Sequence, residues 1–403
     1  MLAEDQRDLK RFNSGSRAYK VALISGGHFA HDVFSSFLAP FLPLLIAKFG
    51  LSITLAGTLT VFFRLPSLAN PLIGIISDRI DLKHCAVVAP AVTAIAMSLL
   101  GIAPGYGSLA VLLLIAGTSA AVFHVLGPVM IARASHEHLG KDMGYWMIGG
   151  ELARTVGPLI AVGVVTLWSF EGSYPIMIFG ILASLFLHFN LKDANLGSVN
   201  YNHQNMMQSW THIRNLMIPL TGFMIFNAFV TASLSIFLPV YMVTTGKSLW
   251  IGGASLAVLE LAGTVGIFLG GSLSDRFGRR VILLVAIPFS SILLIAFVYS
   301  PEWLLLPIIV ALGISVFAVA PVKLAIVQDH SKDYRGTANG FYTGISFLVS
   351  AGTTVLVGWL ADCVGVKNAF IISAFLGFAA MPLIFLLPGL QTVKTAHTVH
   401  PHQ

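Results

Sequence analysis

Several ionisable side chains fall within long apolar stretches of this chain. His28, His31 and Asp32 lie at i, i+3 and i+4 inside the run Val21–Ala47, so on a helix they share one face. Arg64, His124, Glu151, Arg154, Glu260 and Lys323 fall inside other runs of the same kind. A charged group costs about 2.5–3.5 kcal/mol at the centre of a membrane-spanning helix on insertion scales, so each of these requires a reason. An imidazole changes charge near neutral pH, and beside a carboxylate it forms a unit able to take up and release one proton. His28, His31 and Asp32 are therefore proton-coupling candidates, and Glu260 is a second acid that mirrors Asp32. The competing reading has the histidines bonded to backbone carbonyls and Asp32 capping a helix broken near Pro40.

The bases suit a different task. Arg64 and Arg154 offer planar donor forks that fit a carboxylate or phosphonate. Arg64 can instead form an ion pair with Asp32, Glu151 or Glu260. Glu151 and Arg154 are spaced i, i+3 and can pair, either as a structural clasp or as a switch that substrate breaks. His124, just before Gly127-Pro128, is either a cavity residue or an ordinary core histidine. Lys323 is five residues from Gln328 at the end of its run, where it either meets substrate or extends to the headgroups. Arg64, His124, Glu151, Arg154 and Lys323 are the substrate-binding candidates. Three acids and three bases cancel in number, as mutual pairing would produce; a base left unpaired would select an anion.

The elements that position these groups are apolar helices. Of 403 residues, 56% are hydrophobic and 10% charged, with a mean hydropathy of +0.85, whereas soluble domains carry roughly 25% charged residues. A spanning helix needs about 20 apolar residues. Twelve such runs fit between Val21 and Leu387, the second being Thr54–Ile76. The expected order is a cytoplasmic segment 1–20, a six-helix bundle 21–191, a polar cytoplasmic linker 192–215, a second six-helix bundle 216–388 and a cytoplasmic tail 389–403. Of 23 lysines and arginines, seventeen fall on the side of the termini, three on the other side (Lys48, Lys247, Lys367) and three inside runs. That asymmetry predicts cytoplasmic termini. The net charge of +6 is spread over short loops, so no nucleic-acid partner is expected. Residues 1–20 are too polar for a cleavable signal peptide.

Two motifs repeat. Gly271-Ser-Leu-Ser-Asp275-Arg276-Phe-Gly278-Arg279-Arg280 is echoed by Gly74-Ile-Ile-Ser-Asp78-Arg79, with the aspartates 197 positions apart. Gly140-Lys-Asp-Met-Gly144-Tyr145 and Gly336-Thr-Ala-Asn-Gly340-Phe341 are 196 apart. Similar offsets indicate a duplicated unit. The glycines of the Gly271–Arg280 stretch are expected to let two helices approach closely, and Gly278 to form the tight turn.

Twelve runs, a 6+6 duplication, a central linker and G-x-L-x-D-R-x-G-R-R resemble the major facilitator superfamily over the whole chain. The first motif copy departs from the pattern, with Asp81 for Gly and Lys83-His84 for the arginine pair. Gly157-Pro158-Leu159, following Gly149-Gly150, resembles the family's antiporter motif. His28-Phe-Ala-His31-Asp32, Val122-Phe123-His124, Gln328-Asp329 and Gly358-Trp359-Leu360-Ala361-Asp362 resemble the fosmidomycin-resistance branch, where Arg64 replaces a residue resembling Gln. The resemblance implies two pseudo-symmetric bundles, with runs three, six, nine and twelve facing lipid. It also implies a gating role for Gly74, Asp78, Arg79, Gly157, Pro158, Gly271, Asp275, Arg276 and Arg279; the plainer reading of the two Asp-Arg pairs is as topology anchors.

No P-loop is present, so an ion or solute gradient is expected to supply the energy. No Ser-His-Asp arrangement or zinc-ligand spacing stands out, and the tail histidines His397, His400 and His402 flank a proline in a polar stretch. The expectation is a non-enzymatic, cofactor-free and metal-free monomer in a cell membrane, as in a bacterial inner membrane, with protons, a small solute and lipid as partners. Proton-coupled antiport exporting a small polar or anionic solute or drug is the leading reading. The alternatives are symport importing an organic anion and a receptor that binds without transporting.

Overall fold

A computed structural model describes residues 2–77, 80–135, 139–191, 206–331 and 335–387. The regular elements among them are helical: α1 (Leu2–Ser35), α2 (Leu38–Phe49), α3 (Ile53–Arg64), α4 (Asn70–Ser77), α5 (Lys83–Ser98), α6 (Tyr106–Ala134), α7 (Leu139–Trp168), α8 (Met177–Leu191), α9 (Met206–Ser235), α10 (Leu238–Thr244), α11 (Leu249–Phe277), α12 (Arg279–Tyr299), α13 (Glu302–His330), α14 (Arg335–Val364), α15 (Val366–Phe378) and α16 (Ala380–Leu386), with short 3-10 turns between some of them.

Among the described residues, eleven helical segments are long and apolar enough to cross a membrane, where the sequence suggests twelve. The run absent from that set is Thr54–Ile76. It is divided into α3, a 3-10 turn over Leu65–Ala69, and α4. Pro66 and Pro71 explain the division, since each lacks an N–H and its ring crowds the carbonyl four residues earlier.

The break between α1 and α2 has the same cause. Pro40 cannot donate to the carbonyl of Ser36, and the helix interrupts at Ser36–Phe37. The break between α9 and α10 reproduces it: Ser35, Phe37 and Leu38 correspond to Ser235, Phe237 and Leu238, each 200 positions on. Gly50 and Gly246, 196 positions apart, then adopt positive φ of 60° and 84°. This repeated break is a third sign of duplication, absent from the motif comparison because the matched residues are ordinary apolar ones.

The described chain divides into two compact units. One comprises residues 1–203, 232–261 and 350–369, and the other 204–231, 262–349 and 370–403. In the first, α1 lies along α7, α5 packs on α6 and α8, α3 packs on α6, and α2 packs on α10. Its apolar core includes Ile24, Val87, Phe123, Leu126 and Trp146. In the second, α12 packs on α13, and the core includes Leu220, Phe223, Ile287, Val322 and Ile326. Large apolar side chains also point outward: Phe179, Phe186 and Phe189 on α8, Val285 and Phe289 on α12, Phe375 on α15. Such surface is stable against hydrocarbon, and the protein is a multi-pass membrane protein.

Candidate functional site

The site begins on α1. His28, His31 and Asp32 are all buried and share the face turned toward α6 and α7. Asp32 does not cap the helix break. Its Oδ1 is 2.8 Å from His31 Nδ1 and 3.3 Å from His124 Nε2, and its Oδ2 is 3.3 Å from His28 Nε2. His124 thus joins from α6, and its side chain remains 42% exposed. His28 stacks on Trp146 with ring centroids 3.8 Å apart, and His31 stacks on Phe123 at 4.6 Å.

Close approach of α7 makes room for this cluster. A Cβ on Gly150 would stand 2.6 Å from His28 Cε1, and one on Gly149 would stand 2.5 Å from the Ser25 carbonyl oxygen. A Cβ on Gly157, beside Pro158, would collide with Ser36 Oγ and meet the Val33 carbonyl oxygen at 2.8 Å. The glycines that resemble the antiporter motif therefore set the distance between α1 and α7.

The hydrogen bonds assign protons. Ser119 Oγ donates to the Ala89 carbonyl at 2.9 Å, and Thr93 Oγ1 donates to Ser119 Oγ at 2.9 Å. With its hydrogen used, Thr93 Oγ1 accepts from His31 Nε2–H at 3.0 Å. One further proton then occupies the 2.8 Å contact between His31 Nδ1 and Asp32 Oδ1. The pair is either imidazolium with carboxylate or imidazole with carboxylic acid, and both hold one proton more than neutral His with Asp⁻. His28 Nδ1 bonds the Trp146 carbonyl oxygen at 2.7 Å, so it carries hydrogen there.

A second group shares the unit. Arg154 donates to Glu151, the i, i+3 pair expected from sequence. Arg154 also experiences the charges of Glu260 and Asp32. Glu260 is buried on α11. Arg64 Nη1 donates to Ser350 Oγ at 2.7 Å, and among the described residues no carboxylate lies within ion-pair distance of it. The charge of Arg154 reaches Arg64 as well. Asp32, Arg64, Glu151, Arg154 and Glu260 are thus brought into one electrostatic neighbourhood. Lys323 lies half-buried on α13, in the second unit.

The motif after α11 forms the expected turn, with Gly278 at φ 95°. Asp275, however, accepts from Arg279 at 2.5 Å, and Arg279 also donates to Asp329 Oδ2 at 3.3 Å. Arg276 lies over the Phe277 ring, 5.2 Å from its centroid. The expectation of close helix approach at Gly271 is corrected. A Cβ on Gly271 would find only Pro321 Cβ, at 3.9 Å, and one on Gly74 would find nothing within 4 Å among the described residues. The contact glycine is Gly270, whose Cβ would stand 2.2 Å from the Ala318 carbonyl oxygen. Helical phase explains the shift, since adjacent residues point about 100° apart. Asp78 and Arg79 lie outside the described residues.

Sequence reasoning assigned no role to Asp362, although the stretch that carries it was singled out. It accepts from the backbone N–H groups of Ile53 and Thr54 at 2.7 and 2.8 Å, and from Thr54 Oγ1. It also did not anticipate that Lys48 would bond the Gly101 carbonyl and Glu171 Oε1, the latter at 2.8 Å.

The model of the Major Facilitator Superfamily matches residues 24–354. The chain belongs to the Major Facilitator Superfamily. Among its relatives, an MFS-type transporter of Bacillus subtilis strain 168, YfnC, is 25% identical over 95% of this chain and 96% of its own. The fosmidomycin resistance protein of Escherichia coli K12 is 24% identical, over 90% of this chain and 91% of its own. Among solved structures, the bacterial homologue of the human lysosomal transporter Spinster, in an inward-facing occupied conformation, superposes with a TM-score of 0.79 at 15% identity, covering 93% of this chain and 97% of the other. The superfamily assignment makes this a secondary-active transporter rather than an enzyme, and the buried charges lie in its membrane-spanning helices.

Proposed function

We propose that this superfamily member is a proton-coupled antiporter that exports a small polar or anionic organic solute or drug by alternating access, and that it falls in the fosmidomycin-resistance branch. The observation that carries the reading is the buried Asp32 carboxylate, held by His28, His31 and His124 in the same unit as Arg64 and Arg154. Exchange follows if solute and proton compete for one group. A solute donor that takes Asp32 Oδ2 stabilises the carboxylate and favours loss of the proton shared with His31. Arg64, bonded to a neutral hydroxyl, is the base best placed to receive an anionic end of the solute. That same base supports the second reading. An anion and a proton on one cluster attract each other, which favours binding both together and so symport into the cell.

The proposed frame is twelve spans in two six-helix bundles, 21–191 and 216–388, with the linker and both termini cytoplasmic. Lysine and arginine asymmetry supports the orientation. The broken stretch α3–α4 supplies the twelfth span. Asp275 with Arg279, and Asp78 with Arg79, would act at the cytoplasmic gate.

Proteoliposomes with a pH-sensitive dye inside and fosmidomycin as first probe test the reading. Solute-driven proton movement is expected in the wild type and not in Asp32→Asn. Imposing a pH gradient of each sign distinguishes exchange from symport. Normal proton flux in Asp32→Asn removes the coupling assignment, and binding without counterflow would indicate a receptor.

A further inference from the structure

We propose that His28, Asp32 and His124 form a binding site for a divalent transition-metal ion of the Zn²⁺, Co²⁺ and Ni²⁺ class. Sequence spacing gave no metal signal because the third ligand comes from another helix. The structure brings one ligating atom from each of the three residues within 4.8 Å of the others.

Three observations support the site. The first is distance. A metal bound at about 2.0–2.1 Å in a tetrahedron separates its ligand atoms by roughly 3.3–3.4 Å. His28 Nε2 stands 3.3 Å from Asp32 Oδ2, the separation such a site requires. His124 Nε2, 3.3 Å from the other carboxylate oxygen, completes three ligand atoms within 4.8 Å of one another, so His124 closes on Oδ2 when the ion enters. The second is tautomer. His28 Nδ1–H donates to the Trp146 carbonyl, so Nε2 is the nitrogen that faces the carboxylate, and without its proton it directs a lone pair there. Nε2 is buried and makes no aligned hydrogen bond. A proton or a metal ion between nitrogen and carboxylate satisfies both, and proton and metal compete for the same place. A backbone carbonyl behind the distal nitrogen is the usual support of a metal-bound imidazole. The third is the supporting hydrogen bond on the acid: His31 takes Asp32 Oδ1 at 2.8 Å and leaves Oδ2 for the ion.

The donor set selects the metal. Two imidazoles and one carboxylate suit Zn²⁺ and its neighbours; Ca²⁺ and Mg²⁺ require more oxygen ligands. His124 is the exposed member, so ion entry and a fourth, exchangeable ligand are on its side. Metal binding does not depend on the transport reading, since a receptor with this cluster would bind the ion equally.

The test uses the full chain in detergent with His397, His400 and His402 replaced by alanine, titrated with Co²⁺ and separately with Zn²⁺ by calorimetry. One Co²⁺ per chain is expected, with the intense visible bands of a low-coordinate site that Zn²⁺ abolishes. His124→Ala, at an exposed position, should retain the thermal stability of the metal-free protein and lose at least tenfold in affinity. Asp32→Asn should lose binding too, and His84→Ala should not. Absence of binding in the parent, or undiminished affinity in a folded His124→Ala protein, overturns the site, even if proton-coupled transport holds.

Discussion

His31 has two nitrogens and two buried neighbours, and hydroxyl bookkeeping determines what each nitrogen does. Ser119 and Thr93 donate in one direction, so Thr93 can only accept from His31 Nε2–H, and the remaining proton is shared with Asp32. Thr93 is therefore a positioning residue. Thr93→Val should leave a buried imidazole N–H without an acceptor, at a cost of about 1–3 kcal/mol, and free His31 to change tautomer. Thermal unfolding in detergent should fall accordingly, and the pH profile of transport should move; Thr93→Ser should restore both. An unchanged profile in a folded Thr93→Val protein would remove Thr93 from the proton path. The spacing of His28, His31 and Asp32 made their shared face legible in the sequence, because helical phase is local. The i, i+3 spacing of Glu151 and Arg154 likewise made that pair legible. The entry of His124, the Thr93–Ser119 relay and the Arg64–Ser350 bond were not, because each depends on which helices meet.

At the scale of elements, the end of α3 that carries Ile53 and Thr54 is held by a residue far along the chain. Free N–H groups at a helix start attract an anion, and Asp362 near the end of α14 supplies one. Within the first unit, this joins α3 to α14 beside the close approach of Gly358 to the Ile53 carbonyl oxygen, where a Cβ would stand 2.7 Å away. Asp362→Ala should cost about 0.5–2 kcal/mol of stability, in the range of lost N-caps, whereas Asp362→Asn keeps an acceptor and should lose less. Melting curves of the two variants check this, and equal stability to the parent would reduce the contact to a surface coincidence. Proline marked the helix breaks in advance only in part. A proline in an apolar run can kink a helix or divide it, and composition does not separate the two, so Thr54–Ile76 reads as one span although Pro66 and Pro71 divide it. Gly278 was legible as a turn because its positive φ needs glycine between two helical runs. Gly270 was hidden beside Gly271, since a motif specifies residues and not the direction a helix face points.

For the whole molecule, apolar run length and duplication conveyed the all-helical membrane fold, because hydrocarbon forces every backbone group into helix or barrel. Orientation rests on charge alone, and the two native cysteines offer a direct measurement. Both are exposed: Cys85 lies three residues into α5, and Cys363 is the penultimate residue of α14. Each is within a helical turn of a span end, at headgroup level. If the lysine-rich side is cytoplasmic, Cys85 is inside with Lys83, and Cys363 is outside, next to Asp362 and before Lys367. A membrane-impermeant maleimide applied to intact cells should then label Cys85→Ser protein, through Cys363, and leave Cys363→Ser protein unlabelled until the cells are permeabilised. The reverse pattern would invert the molecule, place Asp275 and Arg279 at the outer face, and reverse the sense of every gate described for them. Labelling of both cysteines from one side would mean that an even number of spans lies between them, not the nine from α5 to α14. The broken segment α3–α4 precedes Cys85, so that outcome would reveal a miscounted span among α5 to α14 and would say nothing of whether α3–α4 crosses.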